Sequence, residues 1–222
     1  MIHLKEVSRC YRGRNFQVDA LRGVNLEIPS DQYLSVIGKS GSGKSTLLKI
    51  LGLLDFDYEG IYTFLDQNLR DASDSVVSKA RRNIGYVFQD FRLIARYTIK
   101  RNLEIASTIR MGSCDTEVIE HFLEEVGLAD KAYSYPDELS GGQKQRAAIA
   151  RAVLCSPELV IADEPTGALD RHTSDLILDL MSRLHDELKC TIIVVTHDME
   201  VASRAARTIE LIDGEVVNEI FY

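Results

Sequence analysis

The glycine-rich stretch at residues 38–46, GKSGSGKST, constrains the fold of this chain more than any other feature. It fits the phosphate-loop pattern G-x-x-x-x-G-K-[ST] at every fixed position. The apolar residues 33–37 before it are typical of a buried strand, and residues 44–51 after it are typical of a helix. A strand, a glycine loop and a helix in this order predict a site where free N–H groups bind a phosphate.

Two side chains of this phosphate loop (residues 38–46) have expected roles of their own. We expect Lys44 to reach the β- and γ-phosphates of a nucleotide and the Ser45 hydroxyl to bind magnesium. The other loop residues predicted to contact the phosphates are Gly38, Ser40, Gly41, Ser42, Gly43 and Thr46.

Composition narrows the class of protein. The 222 residues favour one globular domain with room for an inserted lobe, and a net charge of -8 argues against nucleic-acid binding as the main role. The cysteines are widely spaced and show no metal-binding pattern. Neither a membrane-length apolar run nor an apolar signal region is present, so we expect a cytosolic chain.

Hydrophobic patterning predicts an α/β protein with an insertion. Strands at residues 2–11 and 20–28 predict a small antiparallel β layer ahead of the phosphate loop. Residues 91–139 carry helical patterns and no strand signal, and we interpret them as a helical lobe inserted into a core lobe. The core lobe comprises residues 1–90 and 140–222, where apolar strands alternate with helices as in a mainly parallel sheet.

Two acids follow the apolar run 159–162. An acid at the end of such a strand, in a chain with a phosphate loop, is the Walker B arrangement, so Asp163 is predicted to hold magnesium. Glu164 is then placed to take a proton from an attacking water.

A second serine and glycine turn, residues 139–143 (LSGGQ), opens another helix and is predicted to bind an anion in the same way. Its expected contacts are Ser140, Gly141, Gly142 and Gln143. Either the helical lobe folds over the chain's own nucleotide, or a head-to-tail pair of chains lets each turn cover the nucleotide of the other.

Together these motifs resemble the ATP-binding cassette (ABC) ATPase family over essentially the whole chain, with residues 139–143 matching its signature. The resemblance implies the ABC ATPase fold: a P-loop NTPase core, an N-terminal antiparallel layer and an inserted helical lobe. It also implies roles for Gln89 (Q-loop; magnesium and water), Asp170 (D-loop), His197 (γ-phosphate) and Tyr11 (adenine stacking).

The resemblance further implies an ATPase that uses ATP and Mg²⁺. Two chains would form a homodimer around two ATP molecules, each held between the phosphate loop of one chain and residues 140–142 of the other. The chain would attach peripherally to the cytoplasmic face of the cell membrane through transmembrane permease subunits. The docking surface is expected between the lobes, near residues 89–93, and nucleic acid is not an expected partner.

The subfamily stays open at this stage. Residues 162–170 resemble a clade that contains macrolide and peptide exporters, lipoprotein-release ATPases and a cell-division ATPase. Residues 50–55 favour the exporters, including bacteriocin and antimicrobial-peptide systems, whereas residues 85–93 favour the cell-division branch. We expect the chain to drive export. The alternative is a motor that signals to a cell-wall hydrolase and transports nothing.

Overall fold

The computed structural model describes residues 2–14 and 16–222. The strands are β1 (Ile2–Arg12), β2 (Gln17–Ile28), β3 (Tyr33–Ile37), β4 (Glu59–Phe64), β5 (Gln67–Asn68), β6 (Ile84–Phe88), β7 (Leu159–Asp163), β8 (Thr191–Val195), β9 (Arg207–Ile212) and β10 (Glu215–Phe221). The helices are α1 (Lys44–Leu51), α2 (Asp74–Arg81), α3 (Ile99–Met111), α4 (Thr116–Glu125), α5 (Gly141–Val153), α6 (Arg171–Leu188) and α7 (Met199–Ala202).

The chain forms two compact units, Met1–Arg81 with Thr191–Tyr222, and Arg82–Cys190. These bounds differ from the predicted core and helical lobes, whose division of the chain stays a prediction. None of the helices formed by residues 2–14 and 16–222 has the length and hydropathy that crossing a bilayer requires.

The first unit contains the predicted antiparallel layer, in the strand order β2-β1-β4-β5. Leu4 of β1 lies opposite Leu26 on one side and Tyr62 on the other, and all three side chains are buried. Cross-strand apolar pairs of this kind set the register of a sheet, because a shift by one residue would expose them to water.

The same unit contains parallel strands around β3, which pairs with β8 on one side and β9 on the other. Every residue of β3 and β8 is buried, as expected for strands covered on both faces. Ser35, in the middle of β3, shares a hydrogen bond of 2.6 Å with Thr208 and donates another to the Ala202 carbonyl. These bonds compensate for burying a hydroxyl in an apolar core.

The second unit contains the parallel pair β6 and β7 and the helices α3 to α6. Residues 91–139 form α3, α4 and two short 3₁₀ turns, and no strand, as predicted. Helix α5 begins at Gly141, directly after its cap Ser140, so the predicted anion-binding turn at residues 139–143 includes the first residues of the helix.

Helix α2 and strand β5 were not predicted. Only Val77 and Ala80 of α2 are buried, so its apolar stripe is too thin to give a periodic signal. The predicted α/β class, with an antiparallel layer and mainly parallel pairing elsewhere, is confirmed.

Candidate active site

The phosphate loop turns into α1 through a glycine whose conformation excludes other residues. Gly43 has φ of 105°, and a Cβ atom on it would lie 2.3 Å from the Ala20 carbonyl oxygen. No side chain caps the helix, and its first internal bond runs from Leu47 N–H to the Gly43 carbonyl at 2.9 Å. The N–H groups of Lys44, Ser45 and Thr46 therefore precede the helical hydrogen bonds, which leaves donors for an anion.

The ammonium of Lys44 lies across the loop. Its Nζ donates to the carbonyl oxygens of Gly38 at 2.6 Å and Lys39 at 2.9 Å. The loop is also closed by Ser42 N–H to the Lys39 carbonyl at 3.1 Å. These bonds hold the Lys44 ammonium against the backbone of the loop. The conformation of the loop is therefore largely formed before a ligand binds.

The loop contains a hydroxyl available for a further hydrogen bond. Ser42 Oγ is buried and has no hydrogen-bond partner among residues 2–14 and 16–222. Ser40, Gly41 and Ser45 are exposed beside it. A group with several acceptor oxygens, such as a phosphate, fits this set of donors.

His197 leaves the sheet at the same edge as the phosphate loop. Val36 of β3 pairs with Val195 of β8, and Thr196 N–H donates to the Val36 carbonyl at 3.1 Å. Since both parallel strands end here, the exposed His197 follows β8 where residue 38 follows β3. The first unit therefore brings together the phosphate loop and the predicted γ-phosphate contact.

Tyr11, the predicted adenine contact, is held by neighbours that the sequence did not indicate. The guanidinium of Arg9 lies 4.2 Å from its ring centroid, and its hydroxyl donates to Asp55 at 3.1 Å. Arg9 also donates to Asp55 at 2.9 Å, and both side chains are nearly buried, at 10% and 13% exposure. One face of the Tyr11 ring therefore carries a cation, and an adenine would stack on the opposite face.

The Arg9 contact controls the charge of Asp55. Burial alone raises the pKa of this carboxyl, but hydrogen bonds from Arg9, the Asp57 backbone and Tyr11 outweigh it. The pKa of Asp55 is therefore lowered, and the group is an anion at neutral pH.

Strand register in the second unit aligns the predicted catalytic residues. Phe88, the last residue of β6, pairs with Asp163, the last residue of β7. Gln89 and Glu164 therefore leave the strands side by side. A Cβ atom on Gly167 would lie 3.1 Å from Gln89 Nε2 and 3.4 Å from Glu164 Cβ, so both side chains border the same glycine.

A cavity of ≈ 500 Å³ opens beside these residues. It is lined by Phe88, Gln89, Asp90, Phe91, Arg92, Asp163 and Ala168. An amide oxygen and a carboxylate are ligands that Mg²⁺ accepts, and Gln89 and Asp163 supply them here. The donor chemistry thus fits the predicted magnesium contacts of this unit.

Glu164 has an unusual backbone conformation. Its φ is 46°, in the left-handed region, and its carbonyl accepts a hydrogen bond from Gly167 N–H at 3.1 Å. A non-glycine residue in this region is strained, and such residues are concentrated at functional sites. The chain therefore turns sharply directly after β7.

The signature turn (residues 139–143) is a capping box. Ser140 Oγ accepts from Gln143 N–H at 3.4 Å, and Gln143 Oε1 accepts from Ser140 N–H at 2.9 Å. A Cβ atom on Gly142 would lie 2.4 Å from Thr173 Cγ2, so any larger residue would have to displace this methyl group. The signature turn therefore packs directly against the start of α6.

Asp170 caps that helix. Its carboxylate accepts from Thr173 N–H at 3.0 Å and from Thr173 Oγ1 at 2.6 Å. These bonds to Thr173, from its side chain and its backbone, lower the pKa of Asp170. Thr173 thus joins the signature turn to the predicted D-loop residue, a connection that no sequence pattern indicated.

Comparison with known proteins identifies the family. The model of the ABC transporter family matches residues 21–167. The chain is 42% identical over 220 residues to the uncharacterized ABC transporter ATP-binding protein YknY of Bacillus subtilis (strain 168), covering 98% of this chain and 95% of that protein. It is 40% identical over 223 residues to the macrolide export ATP-binding/permease protein MacB of Hyphomonas neptunium, covering 99% of this chain. It spans only 34% of that relative's length.

A solved structure has the same fold. The dimeric post-hydrolysis state of the ATP-binding cassette MJ0796, bound to ADP and Pi, matches with a TM-score of 0.91 and 38% identity. The match covers 100% of this chain and 98% of that one. Family match, identity and fold agree with the motifs described above, and the chain belongs to the ABC transporter family as an ATP-hydrolysing cassette.

Proposed function

We propose that this chain powers the export of an amphiphilic compound, such as a macrolide, a bacteriocin or an antimicrobial peptide, through a separate membrane subunit. The observation that carries this proposal is the 40% identity to a relative named as a macrolide exporter. Residues 50–55 also resemble the exporter branch.

The nucleotide is held by the phosphate loop in our proposal. Backbone N–H groups of residues 38–46 and the Lys44 ammonium bind the phosphates, and the adenine stacks on the Tyr11 ring, on the face opposite Arg9. The predicted magnesium ligands, Ser45, Gln89 and Asp163, would hold Mg²⁺, which would supply positive charge to offset the charge on the phosphate oxygens. The free N–H groups at the start of α1 and the position of Lys44 Nζ support this assignment.

Hydrolysis is assigned to groups at the carboxyl ends of the strands. The Glu164 carboxylate takes a proton from water as the water oxygen bonds to the γ-phosphorus, while the bond to the β–γ bridging oxygen breaks and ADP leaves. Gln89 orients the water, and His197 donates to the γ-phosphate. The alignment of Gln89 with Glu164 supports these roles.

We further propose that two copies close around two ATP molecules. Each signature turn, through Ser140, Gly141, Gly142 and Gln143, then covers the γ-phosphate held by the partner, with Asp170 at the interface. The dimeric state of the related MJ0796 cassette supports this arrangement. Closure and opening are transmitted to the permease, at the cytoplasmic face of the membrane, through a surface around residues 89–93.

The Glu164→Gln variant tests the base assignment. It removes the proton acceptor but keeps the shape of the side chain, so we expect ATP-bound dimers to accumulate while turnover almost vanishes. Size-exclusion chromatography with ATP and phosphate release measure the two effects. Turnover close to that of the wild type would rule out Glu164 as the base.

Co-purification separates export from the cell-division alternative. The tagged Glu164→Gln chain is purified from gently solubilised membranes with ATP, with Lys44→Ala as the control for nucleotide-dependent capture. We expect a permease with a large extracytoplasmic domain, and cells that lack the chain should become more sensitive to macrolides or cationic peptides. A small four-span partner with a wall hydrolase, and unchanged sensitivity, would instead identify a division motor.

A further inference from the structure

The turn that carries Gln89 is strained. We call residues 88–92 the Gln89 turn. Phe91 and Arg92 have φ of 60° and 46°, so two consecutive non-glycine residues are left-handed. Such a conformation persists only where neighbouring groups hold it in place.

One arginine side chain, that of Arg151, makes two hydrogen bonds to the Gln89 turn. Arg151 Nη2 donates to the Phe91 carbonyl at 2.9 Å, and its Nη1 donates to the Arg92 carbonyl. The turn is also closed from within by Phe91 N–H to the Phe88 carbonyl at 3.1 Å. The Arg92 guanidinium lies 4.1 Å from the Phe88 ring centroid, which covers the turn from the side.

Arg151 belongs to the helix that the signature turn opens. Helix α5 begins at Gly141 and carries Arg151 in its last turn. Burial lowers the pKa of Arg151, but a guanidinium stays protonated under such conditions, so both bonds to carbonyls are charge-assisted. One rigid helix therefore joins the signature turn at one end to the Gln89 turn at the other.

We infer that Arg151 is a positioning residue for ATP hydrolysis, which holds Gln89 in place by fixing the carbonyls of Phe91 and Arg92. The inference rests on the proposed role of Gln89 in orienting water. It also gives the signature turn a physical route to Gln89 within one chain, because a displacement of α5 moves the guanidinium that shapes the Gln89 turn.

The chain offers a matched control in Arg110. This arginine is also partly buried, and burial lowers its pKa too. Its guanidinium donates to the Arg82 carbonyl at 2.9 and 2.8 Å and to the Ala152 carbonyl at 2.8 Å. It thus holds the same end of α5 in place, but these bonds do not reach the Gln89 turn.

The test compares Arg151→Lys with Arg110→Lys in the full-length chain. Lysine keeps the charge but cannot hold two carbonyls in a planar fork. We expect similar drops in Tm for both variants and unchanged ATP affinity. The kcat should fall about 10- to 100-fold in Arg151→Lys, as for a misplaced catalytic group, and less than about threefold in Arg110→Lys.

A double-mutant cycle with Gln89→Ala separates the possible failures. If Arg151 acts through Gln89, Arg151→Lys should lower kcat little further once Gln89 is absent. An equal loss in both backgrounds, or a kcat that falls as much in Arg110→Lys, would overturn the inference and leave the role of Gln89 intact. A Gln89→Ala chain with normal kcat would instead remove the role of Gln89, and the inference with it.

Discussion

Replacing Gly142 with alanine should destabilise the chain for a reason that can be removed by a second substitution. The added Cβ would lie 2.4 Å from Thr173 Cγ2, whereas the other Thr173 side-chain atoms near it lie at 3.8 and 3.9 Å. Thr173→Ser deletes the offending methyl group. It keeps the hydroxyl that donates to Asp170 at 2.6 Å, so the cap of α6 survives.

Two opposing effects determine how much Gly142→Ala changes the free energy of unfolding. Ordinary contacts begin near 3.4 Å, so the neighbours of the new methyl must move by about 1 Å, and overpacking of this kind costs about 1–3 kcal/mol. Alanine in a helix is more stable than glycine by about 0.5–1 kcal/mol. The net expectation for Gly142→Ala is a loss of about 1 kcal/mol, or about 2–4 °C in Tm for a chain of this size.

The effect of Gly142→Ala on stability should change sign in a chain that also carries Thr173→Ser. With Thr173→Ser in place the clash is gone, and Gly142→Ala should become neutral or stabilising by about 0.5 kcal/mol. Thermal unfolding of the wild type, both single variants and the double variant gives the coupling energy directly. Equal effects of Gly142→Ala in both backgrounds would refute the proposed contact as the reason for glycine at this position.

Two further predictions concern the first unit. Lys44→Ala should weaken ATP binding on the order of 100-fold, since a charged hydrogen bond to phosphate is lost, and an unchanged affinity in a titration with a fluorescent ATP analogue would contradict the assignment. Asp55→Asn should lower the free energy of unfolding at pH 7, because Arg9 loses a partner that is nearly buried. The pKa of Asp55 is lowered from 3.8, so this stabilisation is complete above that value and is lost as the pH falls through the lowered pKa. Urea midpoints of the wild type and the variant should therefore converge in acid, and a constant gap down to about pH 2 would argue against the ion pair as its source.

The sequence was most informative where function depends on local chain geometry. A phosphate loop needs glycine at fixed positions between a strand and a helix, so the pattern and the structure agree over residues 38–46. Functional residues that follow strands could be predicted equally well from the sequence. Gln89 and Glu164 follow apolar runs, and parallel register then places them beside each other.

Contacts between distant segments could not be read in this way. The packing of Gly142 against Thr173 and the hydrogen bond of Arg9 to Asp55 depend on tertiary structure, and neither pair belongs to a periodic pattern. The limits of the two compact units were likewise not predicted. They depend on which elements pack together rather than on a change in composition along the chain.

The backbone conformation of Glu164 has a consequence for experiments that select this chain for stability. At φ of 46°, asparagine or glycine would fit the turn with less strain, so selection for stability alone favours replacing the glutamate. The glutamate therefore costs local backbone strain, which the proposed base role would account for. A library selected only for thermal tolerance should lose this carboxylate early, and, under the base role proposed for Glu164, the more stable chains would no longer hydrolyse ATP.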